Sequence, residues 1–308
     1  MIRPPFRGRP CSGDASALQG PGRRHPTVGP RTLAALIALA LVCGWGSASA
    51  RPRLAGSRPF RVSLSGGALD QHYAEYPSGL PNASTLPNPL DTESGTLPLL
   101  RLAFAFTPRA VPLWVQVRYD YAEGDTIYDG HTQALVDVAT TTQNRMDDAR
   151  ARLGCVVNIA TDLAVVPFLE GGWHAWDRQI GAGTPLYTHE SYAHWYRGVG
   201  AQLRYRSGLA WRLVLDLDGG RTVDAQISGN GPLFYFRAPL GAAAYYGASI
   251  GVDRAFTGPW HLRGELSWTR FTYGASPSVA TNDPNVHVVE PESSTRRLGF
   301  SLGLAYAF

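Results

Sequence analysis

The chain has 308 residues, 44% of them hydrophobic and 17% charged, a length that a single β-barrel can fill as one domain. All 28 basic residues are arginine, and dropping residues 1–50 removes six of them with one of the 24 acids, leaving 22 against 23 and a net charge near −1. The basic balance belongs to the N-terminal segment and excludes a nucleic-acid footprint in the rest. Cys11 and Cys43 lie in that segment too, so Cys155 remains alone beyond it and an intrachain disulfide is excluded.

In chain order, residues 1–30 are rich in Pro, Gly and Arg and predict no structure. Thr32 to Gly46 is an apolar run of 15 residues, preceded by Arg23, Arg24 and Arg31 and followed by Ser47-Ala48-Ser49-Ala50. A basic start, a short apolar core and small residues predict a secretory signal peptide cut after Ala50, since the run is too short to span a bilayer as a helix. The expected division is a leader over 1–50 and one β domain over 51–308.

Beyond Arg58 the recurrent pattern is alternation at period two, which predicts strands. Ten are expected, near 59–69, 97–107, 112–123, 146–158, 163–175, 191–206, 209–220, 239–254, 259–272 and 295–308; counts of 8 and 12 are the neighbouring alternatives. The links between them alternate between tight turns, at 108–111, 159–162, 207–208 and 255–258, and long polar segments, at 70–96, 124–145, 176–190, 221–238 and 273–294. An even strand number with short turns at one end and long loops at the other predicts an all-β fold, a transmembrane antiparallel up-and-down β-barrel. A soluble β-sandwich is the competing fold, because alternation alone fits both. Trp114, Trp173, Trp195, Trp211, Trp260, Trp268, Tyr119, Tyr121 and Tyr306 are expected near strand ends as interfacial aromatic girdles.

One face of each strand carries charge. Arg118, Asp120, Arg150, Arg152, Glu170, Arg204, Arg212, Asp216, Asp218, Arg263 and Glu265 are expected to point into a narrow lumen, where arginine forks pair with carboxylates and close it. Function then passes to the long loops, with Tyr73, Tyr76, Tyr128, Tyr187 and Tyr235 as candidate recognition residues for an extracellular ligand.

The last strand ends with Phe300, Leu302, Leu304, Tyr306 and Phe308 at every second position. This terminal pattern, with the signal peptide, resembles the assembly signal of Gram-negative outer-membrane β-barrels. The resemblance covers residues 59–308 and implies export to the outer membrane, recognition by the barrel-assembly machinery, and contact with outer-membrane lipid and lipopolysaccharide.

A ten-strand layout also resembles omptin proteases, whose sites combine an acidic pair with an Asp-x-His pair near the outer rim. The nearest elements are Asp216-Leu217-Asp218 and the adjacent Asp147-Asp148, with His174 and His194 on neighbouring expected strands, but no histidine follows Asp216 at that spacing, so omptin roles do not carry over. Glu170 and His174 share a face about 13 Å apart along one strand, and Ser191, His189 and Glu190 alternate between faces. No metal, nucleotide or cofactor motif is present. The expected function is a structural or surface-interaction (adhesin-like) barrel with a largely plugged lumen; the alternatives are a narrow channel for small solutes and an omptin-like or lipid-modifying enzyme.

Overall fold

The computed structural model describes residues 58–308 apart from 79, 81, 132–136, 186, 209 and 232–233, so the leader lies outside the described residues. Ten long strands form the barrel: β1 (Phe60–Tyr76), β2 (Asp91–Phe106), β3 (Leu113–His131), β4 (Asp137–Cys155), β5 (Leu163–Ile180), β6 (Thr188–Ser207), β7 (Trp211–Asn230), β8 (Ala244–Thr257), β9 (Trp260–Tyr273) and β10 (Glu292–Ala307). Each pairs antiparallel with its neighbours in sequence. β1 pairs with β10 from Arg61↔Ala307 to Tyr76↔Glu292, which closes the sheet and leaves no exposed edge.

The outward face is apolar over the half of each strand nearest the tight turns. Val62, Leu64, Leu100, Leu102, Leu213, Leu215, Leu217, Leu302 and Leu304 are all well exposed there, as a lipid-facing band requires and a soluble sandwich would not tolerate. Trp211, Trp260, Tyr306 and Phe308 ring its lower edge. Trp114 does not join them: it is buried in the lumen against Val166 and Phe168.

The strands are longer than expected. They run from 14 to 20 residues, so the longest extend roughly 65 Å along their own direction, whereas an apolar band about 25 Å tall needs only some ten residues of a tilted strand. The segments read as loops at 70–76, 91–96, 124–131, 137–145, 176–180 and 221–230 are strand, and the barrel wall continues well beyond the lipid band. Two segments fold over the outer mouth: a short strand at Tyr235–Pro239, which pairs with the end of β7, and a small hairpin joining Val279–Ala280 to His287–Val288. Asn282 ties them together, donating its N–H to the Tyr235 carbonyl (2.9 Å) and accepting the Tyr235 N–H at Oδ1 (2.8 Å).

One bulge matters for the interior. On β7, Asp224 takes a left-handed backbone (φ 52), and the register against β6 slips between Ala193 and Trp195. The inward positions change from even (Thr222) to odd (Ala225, Ile227), which turns Ile227 into the core.

Candidate functional site

The lumen is crossed by side chains at three heights. Nearest the turns, Arg101 from β2 grips Asp120 in a bidentate pair (2.9 and 3.0 Å) and reaches Glu265 on β9 (2.6 Å) and Ser301 on β10 (3.2 Å). Arg118 and Arg263 add bonds to Glu265 of 3.0 and 2.7 Å. From the opposite wall Arg152 bonds Glu170 on the neighbouring strand, then spans to Asp216 (3.0 Å) and Asp218 (2.8 Å) on β7. Arg212 faces Asp253 in the β7–β8 register, and Arg61 and His261 also bond that carboxylate. All eleven charged residues expected inside lie at inward positions of the wall, and the network also uses Arg61, Arg101, Gln202 and Tyr245.

The middle height is polar and aromatic. His174 on β5 accepts a hydrogen bond from Arg297 on β10 (2.9 Å), five strands away and thus on the far wall. Its Nδ1 lies 3.4 Å from Asp148, its register partner on β4. The ring stacks on Phe271 and lies beside His194, which bonds the Tyr273 hydroxyl (2.9 Å).

At the outer height Arg178 of β5 is fully buried. It donates twice to Glu93 (3.0 and 2.8 Å) and once to Glu190 (2.9 Å), with its guanidinium 4.5 Å from the Tyr73 ring centre and 4.8 Å from that of Trp176. Tyr73 on β1 meets Tyr192 on β6, the opposite strand, hydroxyl to hydroxyl at 3.1 Å; Tyr73 also contacts Glu75 (2.6 Å) and Tyr192 contacts Glu290 (2.6 Å). Burial, more than any neighbour, pushes the carboxyls of Glu75, Glu190 and Glu290 upward, Glu290 to about 8, with the other acids adding to the effect. Two phenols carry only two protons for three contacts, so the third comes from a carboxyl. A proton on either end carboxyl, Glu75 or Glu290, both pushed upward by burial, completes the chain Glu290, Tyr192, Tyr73, Glu75. Above it Phe236, Ala238, Leu240 and Val288 of the two capping segments pack on Trp176, Tyr192 and Ile227, sealing the mouth with an apolar core.

These placements correct the loop reading. Tyr73 and Tyr128 are not loop residues: both lie in strands with their side chains buried inside. Tyr76 ends β1 and lines an open groove of about 480 Å³ with Pro77, Asn88 and Glu292. Tyr187 is half-buried beside β6 and Tyr235 is exposed on the cap. Phe300, Leu302, Leu304 and Phe308 face outward on the closing seam, where Phe60 and Phe308 exchange backbone hydrogen bonds of 3.1 and 3.0 Å.

The enzyme candidates are not drawn into one site. Asp216 and Asp218 are bound to Arg152 at the innermost height, His174 to Arg297 at the middle one. Ser191 bonds Asp177 on the outer wall, while Glu190 turns inward to Arg178. Among the described residues no cluster of side chains could hold a metal ion.

No protein-family model matches the chain, and no curated protein resembles it in sequence. Solved structures do. The outer-membrane protease OmpT from Escherichia coli superposes with a TM-score of 0.57 at 10% identity, covering 82% of this chain and 98% of that one. The translocator domain of the autotransporter NalP from Neisseria meningitidis gives 0.43 at 8% identity, over 90% and 96%, and the neisserial surface protein NspA 0.33 at 11%, over 82% and 99%. The shared property is the barrel fold.

Proposed function

The chain has the fold of the Gram-negative outer-membrane β-barrels, and from that premise we propose that it works at the cell surface as a sealed, non-conducting surface-interaction protein. The observation that carries this reading is the lumen: His174 meets Arg297, and Tyr73 meets Tyr192, across strands five apart in a ten-strand ring. A permeation path would have to break both bridges, unpair the Arg152 and Arg101 networks, and displace the apolar cap. The rigid outer wall and cap then serve as the presenting surface, with Tyr235 and Tyr187 as candidate contacts for an extracellular ligand. On the same reading residues 1–50 direct export, and the Phe300-to-Phe308 face is read by the barrel-assembly machinery.

Reconstituted liposomes test the sealed state. Entry of small sugars at the rate of protein-free vesicles is the expected result. Entry that falls with solute size would replace this reading with the narrow channel, and peptide or lipid turnover lost in Asp216→Asn or His174→Gln would replace it with an enzyme.

A further inference from the structure

Outside the barrel, the first outward polar position beyond each apolar run divides the wall into two sectors. On β1 to β5 these positions are Asp70, Thr96, Glu123, Asp147 and Asp177; on β6, β7, β9 and β10 they are Arg197, Arg221, Arg270 and Arg296. All four arginines are exposed, and each follows lipid-facing residues such as Val199, Leu217, Leu266 and Leu298 along its strand. They stand where the apolar band ends and head groups begin.

The register places them as pairs. Arg197 is directly opposite Arg221, and Arg270 directly opposite Arg296. Like charges at such positions repel, and among the described residues no acid pairs with any of the four; Arg270 bonds only Ser294 (3.2 Å). The acid sector differs: Asp147 takes bonds from Tyr119 and Arg145, and Glu123 from Tyr121. Between the two arginine pairs stands exposed Tyr246, the register partner of Arg270.

We propose that Arg197 with Arg221, and Arg270 with Arg296, form a binding site for the phosphates of a phosphorylated glycolipid in the outer leaflet. Two guanidinium forks facing one way match the oxygens of a phosphate. The pairs sit about three strand spacings apart, roughly 14 Å, so one lipid with phosphates on separate sugars reaches both, with Tyr246 against the sugar between. Continuity with the lipid-facing band favours a membrane lipid over a soluble anion.

The test uses the refolded protein in detergent, titrated with bisphosphorylated lipid A, its dephosphorylated form, or phosphatidic acid, and read by the rise in heat-unfolding temperature and by binding. The expected result is at least tenfold tighter binding of bisphosphorylated lipid A than of either other lipid. R197Q/R221Q and R270Q/R296Q should each lose most of that preference, while E123Q/D177N keeps it. Without lipid, the arginine variants should be at least as heat-stable as the parent, because a repulsive pair is gone; a merely structural role would lower their stability instead. Equal binding of the three lipids, or arginine variants that bind like the parent, overturns the proposal. A double variant that fails to refold also counts against it, since it would show the arginines to be needed without lipid.

Discussion

Replacing Arg178 with Gln removes the cation that, among the described residues, pairs with a buried cluster of Glu75, Glu93, Glu190 and Glu290. Arg178 makes three charge-assisted hydrogen bonds of 2.8 to 3.0 Å, and breaking a buried ion pair from one side typically costs 3–5 kcal/mol, since the partner charge is left unpaired. The sign with pH follows from the neighbours. Arg178 holds down the carboxyls of Glu75, Glu190 and Glu290 against the upward push of burial. Without it they rise further, and a raised carboxyl costs stability as pH climbs through its new value. We expect a loss of about 4 kcal/mol at pH 8, shrinking to about 2 at pH 5 as the raised carboxyls of Glu75, Glu190 and Glu290 take up protons. Urea unfolding in phospholipid vesicles, followed by tryptophan fluorescence with Trp176 as a local reporter, measures it. A loss below about 1 kcal/mol at both pH values would refute the reasoning.

Glu290 gives a second pH signature: with its carboxyl raised from 4.5 to about 8, its contribution is complete below pH 4.5 and lost as pH rises through 8. Stability should therefore decline progressively between about pH 4.5 and 8, by at most about 1.4 kcal/mol per unit, and Glu290→Gln should flatten that decline. Gly67→Ala should lower the heat-unfolding temperature by a cost of about 2–4 kcal/mol, because a Cβ there meets the Phe300 carbonyl across the β1–β10 seam; Gly66→Ala, with open space around it, should be neutral. Deleting Phe308 removes the ring stacked on Phe60 (5.4 Å) and the last backbone pair of the seam. Membrane-inserted, heat-shiftable protein should then fall several-fold in cells.

Where lipid imposes contrast, the sequence was legible. Leu213, Leu215 and Leu217 against Arg212, Asp216 and Asp218 gave both the strand and the side that faces inward. Beyond the lipid band that contrast weakens: the wall has water outside, and inside it buried polar groups such as Arg178 and Glu93 are mixed with aromatic and apolar ones. A stretch such as Gly124–His131, with two Asp, two Gly and a Thr, reads as a loop although every residue is strand. Arg178, Glu93 and Glu290 were missed for that reason. The Asp148 and His174 pair was missed by one residue: pairing outward from a four-residue turn at 159–162 sets Asp148 opposite Trp173, whereas the observed register, with Asn158 opposite Ala164, brings it to His174. The parity change at Asp224 had no visible signal, because the left-handed residue is not a glycine. The outer arginines were hidden differently: their strands were recognised in part, but the pairing of Arg197 with Arg221 appears only once registers are fixed.

Single-molecule conductance most directly tests the central claim of a sealed lumen. Refolded protein inserted in a planar bilayer in concentrated salt should give no discrete current steps, while its heat-shifted gel band shows that it is folded. Reproducible ohmic steps from the folded parent, altered in size by Arg152→Ala or Arg178→Gln, would show that the bridges leave a path, and would contradict the account.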